Sequence, residues 1–427
     1  MNGLSDRDNK FLQKWYNYLQ PHEIKKLNEY QLKHLNLIKE INFFDVKKKT
    51  TQERFINLLL TNSLVSTQFK NLKFDHLLIP IDSIKIIFVN GFFLKKINDT
   101  DADDFQISFI PLSSKTFKKV NNINESTAFF HLTESLLKEY INIKLPSNVF
   151  SKYPLYLLYI NIGEKNGLNI INYRHNITLE NGSSTTIIEH YININNYPCY
   201  TNMNLTIKAD NNVRLNHKKI VYSNNKSYHI AQNRYFLKKD VIVKNYNFLL
   251  KSKNIENKIF VKFEEKNSNF SIKSLGLPFK NSHYTINTDI SHNKGYCKSN
   301  QLHKIVTKNR GTGSFKGSIK IFKKAKKTNS KMINHNLILT KFSKVTSVPQ
   351  LEIYANNVKC SHGVTIGTIN KEQIFYLCSR GINKALAKYI IIYGFISESL
   401  YLLENKNLNV FIKKLIIKCF SGEKYDF

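Results

Sequence analysis

The sequence predicts a mainly β protein, a parallel β-helix core flanked by helical units at both ends. Three observations predict it. Between residues 146 and 369, short segments rich in β-branched and aromatic residues recur, separated by polar turns. No amphipathic helix of ordinary length interrupts them, so α/β crossovers are poorly supported. Helical periodicity is concentrated towards the two ends of the chain.

The N-terminal unit, residues 1–145, reads as α-rich. From Asp6, "DRDNKFLQKWYNYLQPHEIKKLNEYQLKHLNLIKEINF" places Phe11, Trp15, Leu19 and then Leu27, Leu32, Leu35 and Ile38 near helical spacing. Ser5 suits the N-cap and Pro21 a break. "TTQERFINLLLTN" and "ESTAFFHLTESLLKEY" continue as helices, with "SIKIIFVNGFF" as strand and turn between them.

After Pro146 the pattern becomes extended: "YPLYLLYINI", "LNIINYRHNITL", "TTIIEHYINI", "MNLTIKA", "KKIVYS", "VIVKNYNFLL", "KIFVKFEE", "FSIKSL", "YTINTDI", "GSIKIF" and "HNLILT". A sandwich or barrel favours crisp Asn-Gly hairpins, and only "ENGSS" at 180–184 approaches one. Stacked rungs, with apolar residues inward and Asn-rich turns outside, fit better, and such repeats need no fixed sequence period.

The C-terminal unit, 370–427, returns to helical spacing. "NKEQIFYLCSRG" reads as a helix capped by Asn370 and stopped at Gly381. "NKALAKYIIIYGFISESLYLLEN" puts Ala385, Tyr389, Ile392, Ile396 and Leu400 on one face. "LNVFIKKLIIKCF" is a last amphipathic helix, whose stripe suits either its own chain or a partner.

A chain of 427 residues with 42% hydrophobic content can bury more than one core, so roughly two or three folding units are expected. A formal charge of +33 suggests a nucleic-acid binder. Its distribution argues otherwise: lysines are spread almost evenly, arginine is scarce, and Asn, Ile and Lys are inflated throughout. Five cysteines, Cys199, Cys297, Cys360, Cys378 and Cys419, are widely spaced without a CxxC pair, which excludes a ribbon-type zinc site and disfavours a disulfide framework. "MNGLSDRDNK" lacks the apolar core of a signal peptide, and no run reaches the ~18 apolar residues of a membrane span. A reduced, cytoplasmic protein without a membrane partner is expected.

The chemistry centres on "KCSHG". Strand alternation puts Cys360 and His362 on one face with Ser361 opposite, so a thiolate and an imidazole could reach one soft metal or cluster. Two ligands are too few: a complete site needs Cys297, His292 or groups from a second chain. The plainer reading makes Cys360 a small buried hydrophobe and His362 a satisfied side chain. "GTGSFKGS" at 311–318 lacks the spacing that wraps phosphates and reads as a solenoid turn. H-E-x-x-H and G-x-S-x-G are absent, and carboxylates are sparse in the β region, which weakens a glycosidase reading.

The segment "PQLEIYANNVKCSHGVTIGTINKEQIFYLCSRGI", 349–382, closely resembles the signature of the SufB/SufD family, scaffold subunits of the SUF iron–sulfur cluster assembly system. "SHNKGYCKSNQLHKIVTKNRGTGSFKGSIKIFKKAKKTNS" is similar to the pattern preceding it, and "IEHY", "YHIAQN" and "FVNGFF" stand in familiar order. The Cys-Ser-His-Gly form, Cys360 to Gly363, is that of the SufD branch. The resemblance implies a right-handed parallel β-helix, a heterodimer with a SufB-like subunit through the β-helices, and docking of the SufC-like ATPase by the C-terminal helices. It implies a transient iron–sulfur cluster at the interface with SufB, with His362 as candidate cluster or iron ligand and Cys360 as a weaker candidate. A cluster meant for transfer belongs in an incomplete, accessible site.

The chain departs from the family pattern at Asn356 and Asn357, where paired aspartates are usual, and at Cys378, where arginine is usual. Cys378 reads as structural, because its helical placement offers no activation of the thiolate. No Walker motif is present, so ATP binding and hydrolysis are expected in SufC and this chain is expected to be non-catalytic. Two other functions stay open: a SufB-like sulfur acceptor using Cys199 or Cys297, and a basic nucleic-acid-binding protein. Homodimer formation without the partner, and the cluster type, are also open.

Overall fold

In the computed structural model the described residues are 29–40, 64–65, 73–99, 104–111, 128–137, 139–400 and 405–420. The helices are α1 (Glu29–Glu40), α2 (Ala128–Leu136), α3 (Lys371–Ser379), α4 (Lys384–Ser397) and α5 (Lys406–Phe420). The first strands are β1 (Leu64–Val65), β2 (Ile84–Val89), β3 (Phe92–Asn98), β4 (Gln106–Pro111) and β5 (Glu139–Leu145). Then come β6 (Leu155–Asn161), β7 (Leu168–Leu179), β8 (Ser184–Asn193), β9 (Cys199–Ala209), β10 (Arg214–Tyr222), β11 (Tyr228–Leu237), β12 (Ile242–Lys251) and β13 (Asn254–Phe263). The series ends with β14 (Asn269–Gly276), β15 (His283–His292), β16 (Lys298–Thr307), β17 (Thr312–Ile321), β18 (Asn329–Ile338), β19 (Lys344–Ile353) and β20 (Lys359–Thr368).

From β6 onward the strands alternate between two sheets, each strand pairing in parallel with the strand two places along the chain. One sheet runs from β19 through the odd strands to β5 and β4, with β1 beside β7; the other runs from β20 through the even strands to β2 and β3. The result is a parallel β-solenoid. Among the described residues, the antiparallel strand pairs are β2–β3 and β4–β5, at its N-terminal end. Both sheets therefore extend N-terminal of Pro146. "SIKIIFVNGFF" forms β2, a turn at Asn90–Gly91 and β3, as its pattern predicts. The helical expectations at Ser5 to Leu27 and at 50–62 lie outside the described residues.

Turns explain how irregular sequence yields regular stacking. From β5 onward, each passage from an odd to an even strand holds one residue in the left-handed region: Asn148, Gly182, Asn212, Asp240, Asn267, Tyr296, Lys327 and Asn357. From Gly182 through Lys327, each donates its N–H to a carbonyl of the following turn, as in Asn212 to Lys239 at 2.9 Å and Lys327 to Asn357 at 2.8 Å. Asn and Asp tolerate this conformation by bonding locally, whereas Tyr and Lys are held in it by neighbouring turns. The repeat is thus one of backbone conformation, not of residue type. The "GTGSFKGS" segment corrects the sequence reading: it is strand β17, not a turn. Its glycines answer crowding in the core, since a Cβ at Gly317 would lie 2.1 Å from the Met332 sulfur.

Alternation along the strands makes one core between the sheets and leaves two outer faces to be covered. Tyr156, Leu158, Ile160, Ile188, Ile220 and Phe248 on the even sheet are covered by Ile392, Ile396, Leu408, Ile412 and Ile416 of α4 and α5. The apolar stripe of the last helix therefore packs on its own chain. Ala385, expected on that face of α4, is exposed, and Ala387 is buried in its place. Asn370 caps α3 by accepting from the Glu372 N–H, and Gly381, at φ +81°, ends it, as expected.

On the odd sheet α2 and α1 pack over β7 and β9 around an ion pair sealed from water. Glu134 meets the Arg174 guanidinium at 2.8 Å, both side chains being 1% exposed, and accepts from the Tyr30 hydroxyl at 2.7 Å. The His34 and His131 rings approach to 2.6 Å between Nδ1 atoms. No helix among the described residues is long and apolar enough to cross a membrane.

Burial holds several imidazoles neutral. It pushes His34, His131 and His175 down to about 4, and His190, His229, His292 and His303 down to about 3, from an ordinary 6.5. The unfolded chain therefore binds more protons than the folded one between these values, and stability falls as pH drops through that window. Urea titrations should show a constant histidine contribution above about pH 6.5 and a midpoint that declines steadily towards pH 4. A midpoint flat across that interval would contradict the burial of these rings.

Candidate functional site

The solenoid stops without a cap. Among the described residues, β19 and β20 pair on one side only, so the outer edge of each offers unbonded N–H and C=O groups. The inward faces of this last rung lack a rung above them. Ile353 is 43% exposed, Val364 37% and Ile366 48%, although their register partners Ile321, Asn334 and Asn336 are buried. Terminal repeats that must face water carry polar caps, and this one carries apolar side chains.

Cys360 and His362 lie on β20 at this open end. Register sets Cys360 beside Ser330 and His362 beside Met332, whose side chain belongs to the core. Alternation thus puts both residues on one face, as the sequence predicted, and register with Met332 makes it the inner face. Cys360 is half-buried against the core, and burial pushes its thiol up. His362 is exposed, because no further strand lies over it. β20 is tied to β18 by the Asn336 amide, donating to the Thr365 carbonyl at 3.1 Å, and by His335 Nδ1, 2.8 Å from the Thr365 hydroxyl.

His292 and Cys297 do not complete a ligand set with His362. Both are buried, and His292 stacks on Phe263 with its Nε2 2.9 Å from the Ser299 hydroxyl, while the Cys297 thiol points to the Glu265 carbonyl at 3.3 Å. Among the described residues no three His, Cys, Asp or Glu side chains converge as a metal site. Cys199 is sealed, and burial lifts its thiol to about 12; burial raises Cys297 likewise. Neither presents a thiolate to a sulfur donor.

The inward column below His362 is partly polar: Met332, Gln301, Ile272, Asn245, His217, Ile187 and Leu155 follow in register. In the adjacent inward column, below Val364, Glu189 lies 2.8 Å from His217 Nε2 and 3.4 Å from the Lys219 ammonium, and accepts from the Tyr191 hydroxyl. Burial opposes ionisation of Glu189, but the Lys219 charge and the His217 and Tyr191 hydrogen bonds outweigh it and hold the carboxyl below its usual range. Lys219 also donates to Asn233 at 3.0 Å. Sequence reading missed this cluster. Its available signal was a carboxylate at an inward position of an otherwise apolar strand, "TTIIEHYINI".

The departures have local settings. Asn357 sits in the left-handed turn before β20, which Asn occupies readily. Nothing in the structure explains Asn356. Cys378 is half-buried on α3, facing a groove rather than the core.

Comparison with known proteins follows the same lines. The family model described as SUF system FeS cluster assembly, SufBD core domain, matches residues 160–395. The chain is 32% identical over 412 residues to the iron-sulfur cluster assembly protein SufD of Escherichia coli K12, covering 96% of each. It is 25% identical over 332 residues to an iron-sulfur cluster assembly SufBD family protein of Synechocystis, covering 74% of this chain and 73% of that one. It is 24% identical over 385 residues to the chloroplastic protein ABCI7 of Arabidopsis thaliana, covering 84% and 75%.

Removing one member of the buried pair leaves an uncompensated charge. Lys219→Met should destabilise the fold by about 3–5 kcal/mol in urea melts, whereas the double variant with Glu189→Leu should recover much of that loss. Equal destabilisation by single and double variants would show that the two charges are not coupled.

Proposed function

The chain belongs to the SufBD family of SUF-system iron–sulfur cluster assembly proteins, and we propose that it is a non-catalytic, SufD-type scaffold subunit whose open end is closed by a SufB-like partner. One observation carries the reading: the last rung exposes its inner face, with His362 on it and free strand edges on either side. A second solenoid end pairing with β19 and β20 would satisfy those edges and bury Ile353, Val364 and Ile366. Gly363 supports a close approach, since a Cβ there would meet nothing within 4 Å and this chain's own packing does not require the glycine.

The nascent cluster is cargo. His362 offers an imidazole nitrogen to iron, Cys360 is the weaker candidate beside it, and the remaining ligands come from the partner. Few ligands from each side allow release when the interface opens; four thiolates in one rigid chain would retain the cluster. The SufC-like ATPase docks on the C-terminal unit, 370–427, and supplies the nucleotide-driven motion. The N-terminal unit, 1–145, and the β-helix, 146–369, with a right-handed winding and a cytoplasmic setting, complete the reading that the family supports. Sulfur acceptance by Cys199 or Cys297 is not favoured, because both thiols are sealed in the core.

The test is coexpression with SufB- and SufC-type partners. His362→Ala should leave subunit stoichiometry unchanged and reduce iron and sulfide bound after reconstitution about tenfold or more. Unchanged cluster content in an intact complex would remove His362 from the site.

A further inference from the structure

A row of inward side chains on successive strands ends at the open rung. His292 closes β15, Ser299 stands near the start of β16, and register carries Ser299 to Ser330 on β18 and Ser330 to Cys360 on β20. His292 Nε2 is 2.9 Å from the Ser299 hydroxyl, and the Ser299 and Ser330 hydroxyl oxygens are 2.6 Å apart. All three of these polar residues are buried. Polar side chains in a core carry a desolvation cost that apolar residues avoid, so their alignment towards one rung calls for a cause.

The row has a direction. Burial pushes His292 down to about 3, so the ring is neutral and carries one N–H. Its Nδ1 has no hydrogen-bond partner among the described residues, whereas Nε2 has the Ser299 oxygen. An enclosed N–H without an acceptor is the costlier arrangement, which assigns the proton to Nε2. Nε2–H therefore donates to Ser299, the Ser299 hydroxyl donates to Ser330, and the Ser330 hydroxyl keeps its own hydrogen to give. Towards the open end its neighbour is Cys360, one strand spacing of about 4.8 Å away. Ser330 already meets that sulfur through its main chain: burial raises the Cys360 thiol, and the Ser330 main-chain hydrogen bond works against the rise. The Cys297 thiol differs, since it gives its hydrogen to the Glu265 carbonyl at 3.3 Å.

We propose that Ser330 is a positioning residue of the cluster site: its hydroxyl, aligned by Ser299 and His292, donates a hydrogen bond to the Cys360 sulfur and favours the thiolate as an iron ligand. The inference rests on the reading above and turns Cys360 from the weaker candidate into a ligand with a built environment. As the iron–sulfur bond forms, the thiol proton leaves to water at the uncovered end and the sulfur donates a lone pair to iron. The Ser330 O–H then takes up part of the negative charge left on sulfur. Donors of this kind set how firmly a thiolate holds its metal and the potential of a cluster it ligates.

The first measurement uses the isolated full chain, alkylated with iodoacetamide at one mildly alkaline pH and read peptide by peptide by mass spectrometry. Ser330→Ala should slow alkylation of Cys360 about threefold or more, because the thiolate loses a donor. Ser299→Ala, which cuts the row one link back, should slow it less, and Ser330→Thr, which keeps the hydroxyl, should preserve the native rate. Cys378, on α3 and outside the row, is the internal control, and urea midpoints establish that each variant is folded. The second measurement uses the reconstituted complex with SufB- and SufC-type partners. There Ser330→Ala should retain bound iron and shift the cluster reduction potential to more negative values. If Ser330→Ala and Ser299→Ala are folded and Cys360 reacts at the rate of the unmodified chain, the row does not serve the sulfur and the inference is overturned. If Cys360→Ala leaves both the iron content and the potential of the complex unchanged, Cys360 is not a ligand and the inference is overturned as well. A complex of the unmodified chain that binds no iron would instead overturn the proposed function, a failure that alkylation of the isolated chain does not share.

Discussion

In a solenoid, each rung is buried only by the next. That constraint organises the whole molecule. Interior strands satisfy their backbone groups on both edges and their inward side chains against neighbours above and below. At the N-terminal end the sheets finish in the antiparallel pairs β2–β3 and β4–β5, with β3 and β4 as edge strands among the described residues. At the other end β20 leads into α3, and the following helices α4 and α5 pack on the outer face of the even sheet. Among the described residues, the inner face of the last rung near His362 is therefore left uncovered.

The exposed imidazole of His362 stands on a well-packed base. His362 rests beside Met332, Met332 presses against the position of Gly317, and the turns behind are linked by backbone bonds between their left-handed residues. Farther in, a Glu189–His217–Lys219 cluster lies fully inside the stack. Such buried charge contributes little net stability, but it penalises any register in which its partners separate. The ion pair of Glu134 with Arg174 does the same for the docking of α2. Charge is thus used inside the stack to define geometry.

Much of this was legible in the sequence. Period-two stretches without intervening helices announced stacked strands, and helical spacing with Asn370 and Gly381 announced α3. The placement of Cys360 and His362 on one face followed from alternation alone. Other features were hidden for physical reasons. The turn repeat resides in backbone angles that Asn, Asp, Tyr, Lys and Gly all adopt here, so no residue type marks it. The glycines of β17 look like turn residues until the opposing Met332 and Phe315 are in place. Ala385 and Ala387 differ in burial because tertiary docking decides which flank of α4 meets the sheet, which local spacing does not encode. The inability of His292 and Cys297 to reach His362 is a three-dimensional fact, since each is enclosed by its own rung.

The central claim is that the last rung is completed by another chain. Amide hydrogen exchange of 344–368, measured on the isolated chain and on its complex with a SufB-like subunit, tests it most directly. The account predicts that outer-edge amides of β19 and β20 exchange quickly alone and become strongly protected in the complex, while β7 to β13 barely change. Equal exchange of β19 and β20 in the two states would contradict it.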